Sequence, residues 1–325
     1  MVVLLRDIAA PSSTTSTQLD ADTNGMKCAF VNNMPDSAFD AAERQFLDLL
    51  HQGSGTTTIE VQRYAIDGVP RGDRVAKRIA KEYSPLEEIR HEVPDLLLVT
   101  GANPVEQEIE KELFWNDLSE LLIWGTENVH SMLLSCLTAH AALTVFDGID
   151  RENLSSKCTG VFLQEVDTTH PLTVGLAGEV SLPHSRWNTV DRDAVRAAGY
   201  QIALQSDAVG WSVATRTVGR SDVVLVQGHP EYDATSLLRE YRRDARRYAA
   251  RERDDLPCLP FECVAPEDWP RLVELHETIT GKRRDPEVVQ AYPFEEVSAR
   301  ATRSWAGVAE RLYASWLAGV TVRSR

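Results

Sequence analysis

Cys136 stands where an apolar run, Ser131-Met132-Leu133-Leu134-Ser135, gives way to a helix-forming run from Leu137 through His140 to Leu143. A cysteine at such a turn lies at a helix N-terminus, where unpaired N–H groups and the helix dipole stabilise a thiolate and any oxyanion beside it. Further along, a second apolar run, Val223-Val224-Leu225-Val226-Gln227, ends in Gly228-His229-Pro230-Glu231-Tyr232. On extended chain, residues two apart point the same way, so His229 and Glu231 face one side. Nucleophile, base and base-orienting acid are thus available at strand ends, which is what covalent catalysis by cysteine requires. Taken singly, Cys136 reads as a buried structural cysteine and His229 as a turn histidine; their combination points to catalysis.

Positioning those groups requires a layered sheet. A first strand is expected at Cys28–Val31, ending in Asn32-Asn33-Met34-Pro35, and a helix from about Ala41 carries Phe46, Leu49 and Leu50 on one face. Ile59 to Ile66 alternates as a strand, and Arg71 to Ile89 reads as a solvated helix. Leu96–Val99 is apolar on both faces, as in a central parallel sheet. It stops at Thr100-Gly101-Ala102-Asn103-Pro104, and a helix is expected to run on to Trp124 with Ile109, Leu113, Leu118 and Leu121 inward. The Cys136 strand and helix repeat the pattern. This alternation predicts an α/β fold, a doubly wound, mostly parallel sheet flanked by helices, with Gly101, Cys136 and His229 at the carboxyl ends of strands where ligands bind. From Cys158 to Trp211 the pattern loosens into short strands and turns. Residues 236–253 form a helix with Leu238, Tyr241, Ala245 and Tyr248 on one side, and Trp305–Leu317 forms another with Val308, Leu312 and Leu317 packing. Residues 254–300 show no clear repeat. The division read from this is a flexible N-terminal segment (1–25), an α/β domain (26–250), and a C-terminal extension (251–325) whose last helix packs on that domain.

The 325 residues suffice for a large core, and 43% hydrophobic with 26% charged residues is an ordinary soluble composition. A net charge of −15 argues against nucleic acid or an anionic membrane as the main partner. It leaves room for an anionic co-substrate held by local cations and backbone amides. Five cysteines (Cys28, Cys136, Cys158, Cys258, Cys263) form no C-x-x-C pair, which fits reduced thiols. Cys258 and Cys263 with His276 have no fourth ligand spaced for zinc, so no metal is expected. The apolar stretch at residues 1–6 is too short for a signal peptide, and no segment approaches membrane-spanning length; a cytoplasmic location is expected.

Taken in order, the segments resemble the homoserine O-succinyltransferase/O-acetyltransferase family, whose fold is that of the class I glutamine amidotransferases. The matching stretches are Met34-Pro35 with Glu43 and Gln45, Thr100-Gly101-Ala102 with Pro104-Val105-Glu106, and Ser135-Cys136 through Ala139 to Leu143. Lys157 with Gly160-Val161-Phe162, Pro183-His184-Ser185-Arg186, Gly228 through Asp233, and Glu240-Tyr241 with Arg243-Asp244 continue the series. Trp305 and Trp316-Leu317 look like the remnant of the family's Trp-rich C-terminal helix. Family members usually follow the cysteine with Trp and carry Gln where this chain has Leu137 and His140. Asn103 is inserted in the Thr-Gly-Ala-Pro segment, two residues are added after Met34, and the Asn-Tyr-Phe-Pro segment after the arginine helix is absent. The chain is a divergent member by these marks.

The resemblance implies a ping-pong acyl transfer in amino-acid (methionine) biosynthesis. Cys136 takes an acyl group from acetyl-coenzyme A or succinyl-coenzyme A as a thioester, and the hydroxyl of homoserine, or of serine, attacks it. His229 is then the general base, held by Glu231, and Lys157, Ser185 and Arg243 bind the amino acid. Glu106 falls where the family selects the acyl donor, and a glutamate there looks like the acetyl type, since a succinyl carboxylate would meet like charge. No permanently bound cofactor is implied, and a homodimer is suggested. The rival is a glutamine amidotransferase or hydrolase using the same Cys-His-Glu set. Against it, the segment around Cys136 lacks the glycines typical of that nucleophile elbow. The residues have plainer readings as well: Lys157 as a solvated loop lysine, Ser185 as a cap, Arg243 as part of a basic helix face, and Glu106 as an acidic helix start. His140, one turn past Cys136, reads as a packing residue or as a competing partner for the thiolate.

Overall fold

The computed structural model describes residues 3–6, 25–280 and 284–323. Its centre is one ten-stranded sheet. In chain order the strands are β1 (Val3–Leu5), β2 (Met26–Val31), β3 (Ile59–Tyr64), β4 (Leu96–Val99), β5 (Ser131–Ser135), β6 (Glu152–Val166), β7 (Glu179–Thr189), β8 (Gln201–Ser206), β9 (Gly210–Val218) and β10 (Ser221–Val226). The helices are α1 (Phe39–Gly53), α2 (Asp73–Glu82), α3 (Trp115–Asn128), α4 (Leu137–Asp147), α5 (Arg192–Ala197), α6 (Ser236–Ala249), α7 (Trp269–Thr280), α8 (Pro286–Ala291), α9 (Phe294–Arg300) and α10 (Ala306–Arg323).

Across the sheet the order is β1-β3-β2-β4-β5-β10-β9-β8-β6-β7. The first six are parallel, and β9, β8, β6 and β7 extend the sheet antiparallel. The chain leaves β2 to one side for β3 and returns to its other side for β4, so the strand order reverses there. Outside the carboxyl ends of such strands a doubly wound sheet opens its ligand crevice. The four-residue β4 is buried throughout, as its all-apolar Leu-Leu-Leu-Val sequence requires of a central parallel strand. Among the described residues no helix is long and apolar enough to cross a membrane.

Several elements differ from the sequence expectation. The Arg71–Ile89 helix stops at Glu82: Tyr83 and Ser84 turn extended, and Pro85 opens a separate 3₁₀ turn at Leu86–Arg90. The helix expected from Pro104 to Trp124 is a loop and a 3₁₀ turn (Ile109–Lys111) before α3, and Leu113 faces solvent at 81% exposure. Its cause is Glu112, whose buried carboxylate accepts the N–H groups of Val105 (2.8 Å) and Glu106 (3.0 Å) and holds that stretch in a loop. Residues 158–211 are not short pieces: β6 has 15 residues and β7 has 11, paired over most of their length. Within the N-terminal segment expected to be flexible, Val3–Leu5 form an edge strand on β3; residues 7–24 lie outside the described residues. Residues 254–300 supply α7, α8 and α9, whose Leu272, Leu275, Val289, Phe294 and Val297 enter the same apolar core as α1 and α6. Phe261 is stapled to β6, exchanging backbone hydrogen bonds with Thr159 (3.0 Å) and Val161 (2.8 Å). Gly160, at φ 145°, makes room for it: a Cβ there would meet Phe261 backbone and side chain at 2.6 Å.

Candidate active site

Cys136 closes β5 with φ 50° and ψ −111°, a conformation that costs a non-glycine residue energy and that surrounding structure must enforce. Its N–H donates to the Val226 carbonyl at 2.7 Å, tying the turn to the end of β10, three residues ahead of His229. Gly101 comes close from the end of β4: a Cβ there would stand 3.2 Å from the Cys136 Cβ and 3.5 Å from the Leu137 nitrogen. Leu137 opens α4, whose first N–H groups have no intrahelical partner. The side chain therefore projects at a helix N-terminus over a glycine floor.

His229 is held by its own N–H, which donates to Pro183 O (2.8 Å), and by stacking on Tyr232 at 4.3 Å between centroids. Nδ1 meets Glu231 Oε1 at 2.7 Å, and Nε2 is buried with no hydrogen-bond partner among the described residues. Burial alone would lower the imidazole pKa; the charges of Glu231 and Cys136 outweigh it and hold His229 well above its usual value. The sequence-predicted trio is thus brought together. The segment is pinned from behind by Arg303, which donates to Pro230 O (2.9 Å), and by the Trp305 indole, which donates to Tyr232 O (3.0 Å).

Cys136 and His229 line a cleft of about 400 Å³. Lys157 from β6, Ser185 from β7 and Arg243 from α6 line it too, so all three expected substrate-binding residues share the cavity. What joins the first two is Glu240, one turn before Arg243, a site residue that sequence reasoning missed. Its carboxylate accepts from Lys157 Nζ (2.8 Å), Ser185 Oγ (2.5 Å) and Tyr232 Oη (2.6 Å). Burial would raise its pKa, but these partners, Lys157 foremost, hold it down to about 2. Glu240-Tyr241 stands in the matching stretches, and that was its only sequence signal. Arg243 is engaged in a fork with its neighbour Asp244, at 2.8 and 3.1 Å, and Asp244 also meets Arg253 at 3.3 Å.

Glu106 is not in the cleft. Its side chain is exposed, and only its backbone participates, held by Glu112 and by Arg151, whose guanidinium donates to Glu106 O (2.6 Å) and Gln107 O (3.1 Å). His140 is buried, bonds Gln227 Oε1 at 2.9 Å, is pushed by burial down to about 3, and lines the cleft with Cys136. Burial pushes the thiols of Cys28 and Cys263 up to about 12. His276 bonds Tyr241 Oη at 3.1 Å.

Fold and site together define a doubly wound α/β protein with a cysteine at its strand-to-helix elbow. The family described as Homoserine O-succinyltransferase matches residues 5–324, and the chain belongs to that family. Relatives named homoserine O-succinyltransferase include those of Rhodopseudomonas palustris, 36% identical over 90% of this chain and 87% of its own, and Methylorubrum extorquens, 35% over 92% and 88%. The relative from Methylococcus capsulatus, with the same name, is 34% identical over 91% and 83%. Among solved structures, SMU.1228c superposes with a TM-score of 0.50 at 13% identity, covering 91% of this chain and all of its own. A glutamine amidotransferase from Methylobacillus flagellatus gives 0.49 at 15%, over 91% and 94%.

Proposed function

We propose that this protein is a coenzyme A-dependent O-acyltransferase of homoserine, working by ping-pong through a thioester on Cys136, with succinyl-coenzyme A as donor. The observation that carries the reading is the strained elbow of Cys136 facing a His229 whose Nδ1 is locked by Glu231. The raised imidazole pKa favours the protonated form of His229, the form that supports an ionised thiol. The Cys136 thiolate attacks the carbonyl carbon of the donor thioester, and the oxyanion formed meets the N–H groups opening α4. The carbon–sulfur bond to coenzyme A breaks, and the leaving sulfur takes the proton from His229 Nε2. Neutral His229 then removes the proton from the homoserine hydroxyl as its oxygen attacks the acyl-cysteine. Cys136 leaves as thiolate, and the starting pair is restored. Lys157 and Ser185, organised by Glu240, hold the amino acid together with Arg243. A second cleft of about 290 Å³ shares Met34, Gly101, His229 and Arg243 with the first and gives a long donor further room.

Succinyl in place of acetyl is supported by the names of the relatives, and by Glu106 pointing away from the cavity and so opposing no carboxylate. The test is intact-mass analysis with each donor, then thiol release with homoserine, serine and glutamine as second substrates. One acyl adduct that disappears in Cys136→Ala and is discharged by homoserine is the expected result. Glutaminase activity without acyl-coenzyme A dependence would overturn the reading, and faster discharge by serine would overturn the acceptor.

A further inference from the structure

Arg151 belongs to no part of the machinery described so far. It follows α4 on the way into β6, and its side chain is 3% exposed although it lines the cleft with Cys136. Two of its three nitrogens are spent on structure: Nε donates to Gln107 O (3.3 Å) and Nη2 to Glu106 O and Gln107 O. Nη1 is buried and has no partner. A buried, unpaired guanidinium N–H is costly, so natural structures rarely keep one unless something occupies it in use. The charges ask for the same thing. Arg186 is also buried in this cleft and donates to the carbonyls of Asn188 and Val209, and among the described residues it makes no ion pair. Among the described residues Arg151 and Arg186 have between them one carboxylate within 4.0 Å, that of Glu112, which stands 3.9 Å from Arg151 with an oxygen already serving two N–H groups.

The location says which carboxylate is missing. Lys157, Ser185, Glu240 and Arg243 come from β6, β7 and α6 and form one wall of the cleft. Arg151 is anchored instead to the loop that leaves β4 past Gly101, Ala102, Asn103 and Pro104, residues that line the cleft together with Cys136. We infer that Arg151 Nη1 seats the distal carboxylate of the acyl chain while its thioester carbon lies at Cys136, and so sets the enzyme's choice of a dicarboxylic acyl donor. The inference rests on the acyl-transfer reading. Loop 105–107 matters as the backbone frame that aims Arg151, and the Glu106 side chain takes no part.

The test uses the full-length protein and the half-reaction without acceptor. Acylation of Cys136 is timed by intact mass with succinyl-, butyryl- and succinamyl-coenzyme A, the last two matching succinyl in length but uncharged. Wild type is expected to favour succinyl by at least about thirtyfold, the loss typical when one member of a buried charge pair is absent. Arg151→Gln is expected to remove that preference and leave butyryl transfer within a few-fold, which a general collapse of the loop would not do. Equal rates for the three donors in wild type overturn the assignment while leaving acyl transfer in place, and need no variant to fold. If Arg151→Gln spares succinylation and raises KM for homoserine instead, the carboxylate seated there is the acceptor's and the inference is wrong. No adduct from any donor removes the acyl-transfer reading itself.

Discussion

The two walls of the cleft are built by different means. On one, Gly101, Cys136 and His229 are fixed by main chain: strand ends in parallel register, a hydrogen bond from the elbow to Val226, and an extended segment that puts Glu231 behind His229. On the other, Lys157, Ser185, Tyr232, Glu240, Arg243 and Asp244 hold one another through charge and side-chain hydrogen bonds. The first kind of wall admits little adjustment, which suits groups that must meet a reacting carbon within a few tenths of an ångström. The second exchanges partners at low cost. Asp244 already meets Arg253 as well as Arg243, so an incoming carboxylate could take the Arg243 fork without leaving Asp244 unpaired.

Substitutions on the two walls should therefore fail differently. Cys136→Ala should abolish both the acyl adduct and turnover, whatever the donor; an adduct persisting in this variant would break the assignment. Glu240→Gln should leave acylation within a few-fold but cut kcat/KM for the acceptor roughly a hundredfold, because Lys157 and Ser185 lose their common anchor. The half-buried Lys157 charge is left without its acid, so the urea midpoint should also fall, by about 3 kcal/mol in stability. Arg243→Ala should likewise spare the half-reaction and cost the acceptor step about a hundredfold. Arg242→Ala, which loses an exposed pair with Glu295, is the control and should change little. If Arg243→Ala blocks acylation, the division between the walls is wrong.

A smaller effect sharpens the contrast through pH. His140 lies beneath the main-chain wall with a folded pKa of about 3 against about 6.5 unfolded. A depressed histidine contributes stability that is complete above about pH 6.5 and is lost as pH falls toward 3, because the unfolded chain takes up the proton first. Denaturation at pH 7 and pH 5 should show wild type losing stability on acidification, and His140→Gln losing less. Glu106→Gly should have the smallest effect of all. With its side chain in solvent, the donor ratio should stay within about twofold in the acylation assay; a large shift would restore the selector role that the family resemblance implied.

The same contrast explains what the sequence revealed. Parallel strands such as Leu96–Val99 are apolar on both faces and stop at Gly or Cys, so the main-chain wall could be read residue by residue. The antiparallel half was obscured because β6, with Glu152, Asn153, Ser155 and Ser156 exposed, carries no sustained alternation. Glu240 acquires its meaning from residues on β6 and β7, contacts that no local window contains. Arg151 stands alone after Gly148-Ile149-Asp150, without a pattern to mark it. Lys157, Ser185 and Arg243 emerged from resemblance alone, as did Glu106, whose exposed place follows from a loop shaped by Glu112, six residues away. The short helices α8 and α9 hold too few turns for their periodicity to stand out.

The staple of Phe261 onto β6 has a consequence in time. A ribosome delivers the chain from its N-terminal end at some 5–20 residues per second, and a domain folds as a unit once its parts have emerged. Cys136, His229 and Glu231 are all synthesised before Phe261, as is the Lys157 strand to which it fastens. Yet Arg253 and Asp255 of the cleft, and the Arg303 and Trp305 contacts that brace the histidine segment, come on either side of the staple. A nascent chain therefore carries the Cys136 thiol for several seconds before the pocket around it is closed and the histidine is braced. Chains arrested before residue 261 should present Cys136 to small alkylating reagents that the finished protein slows.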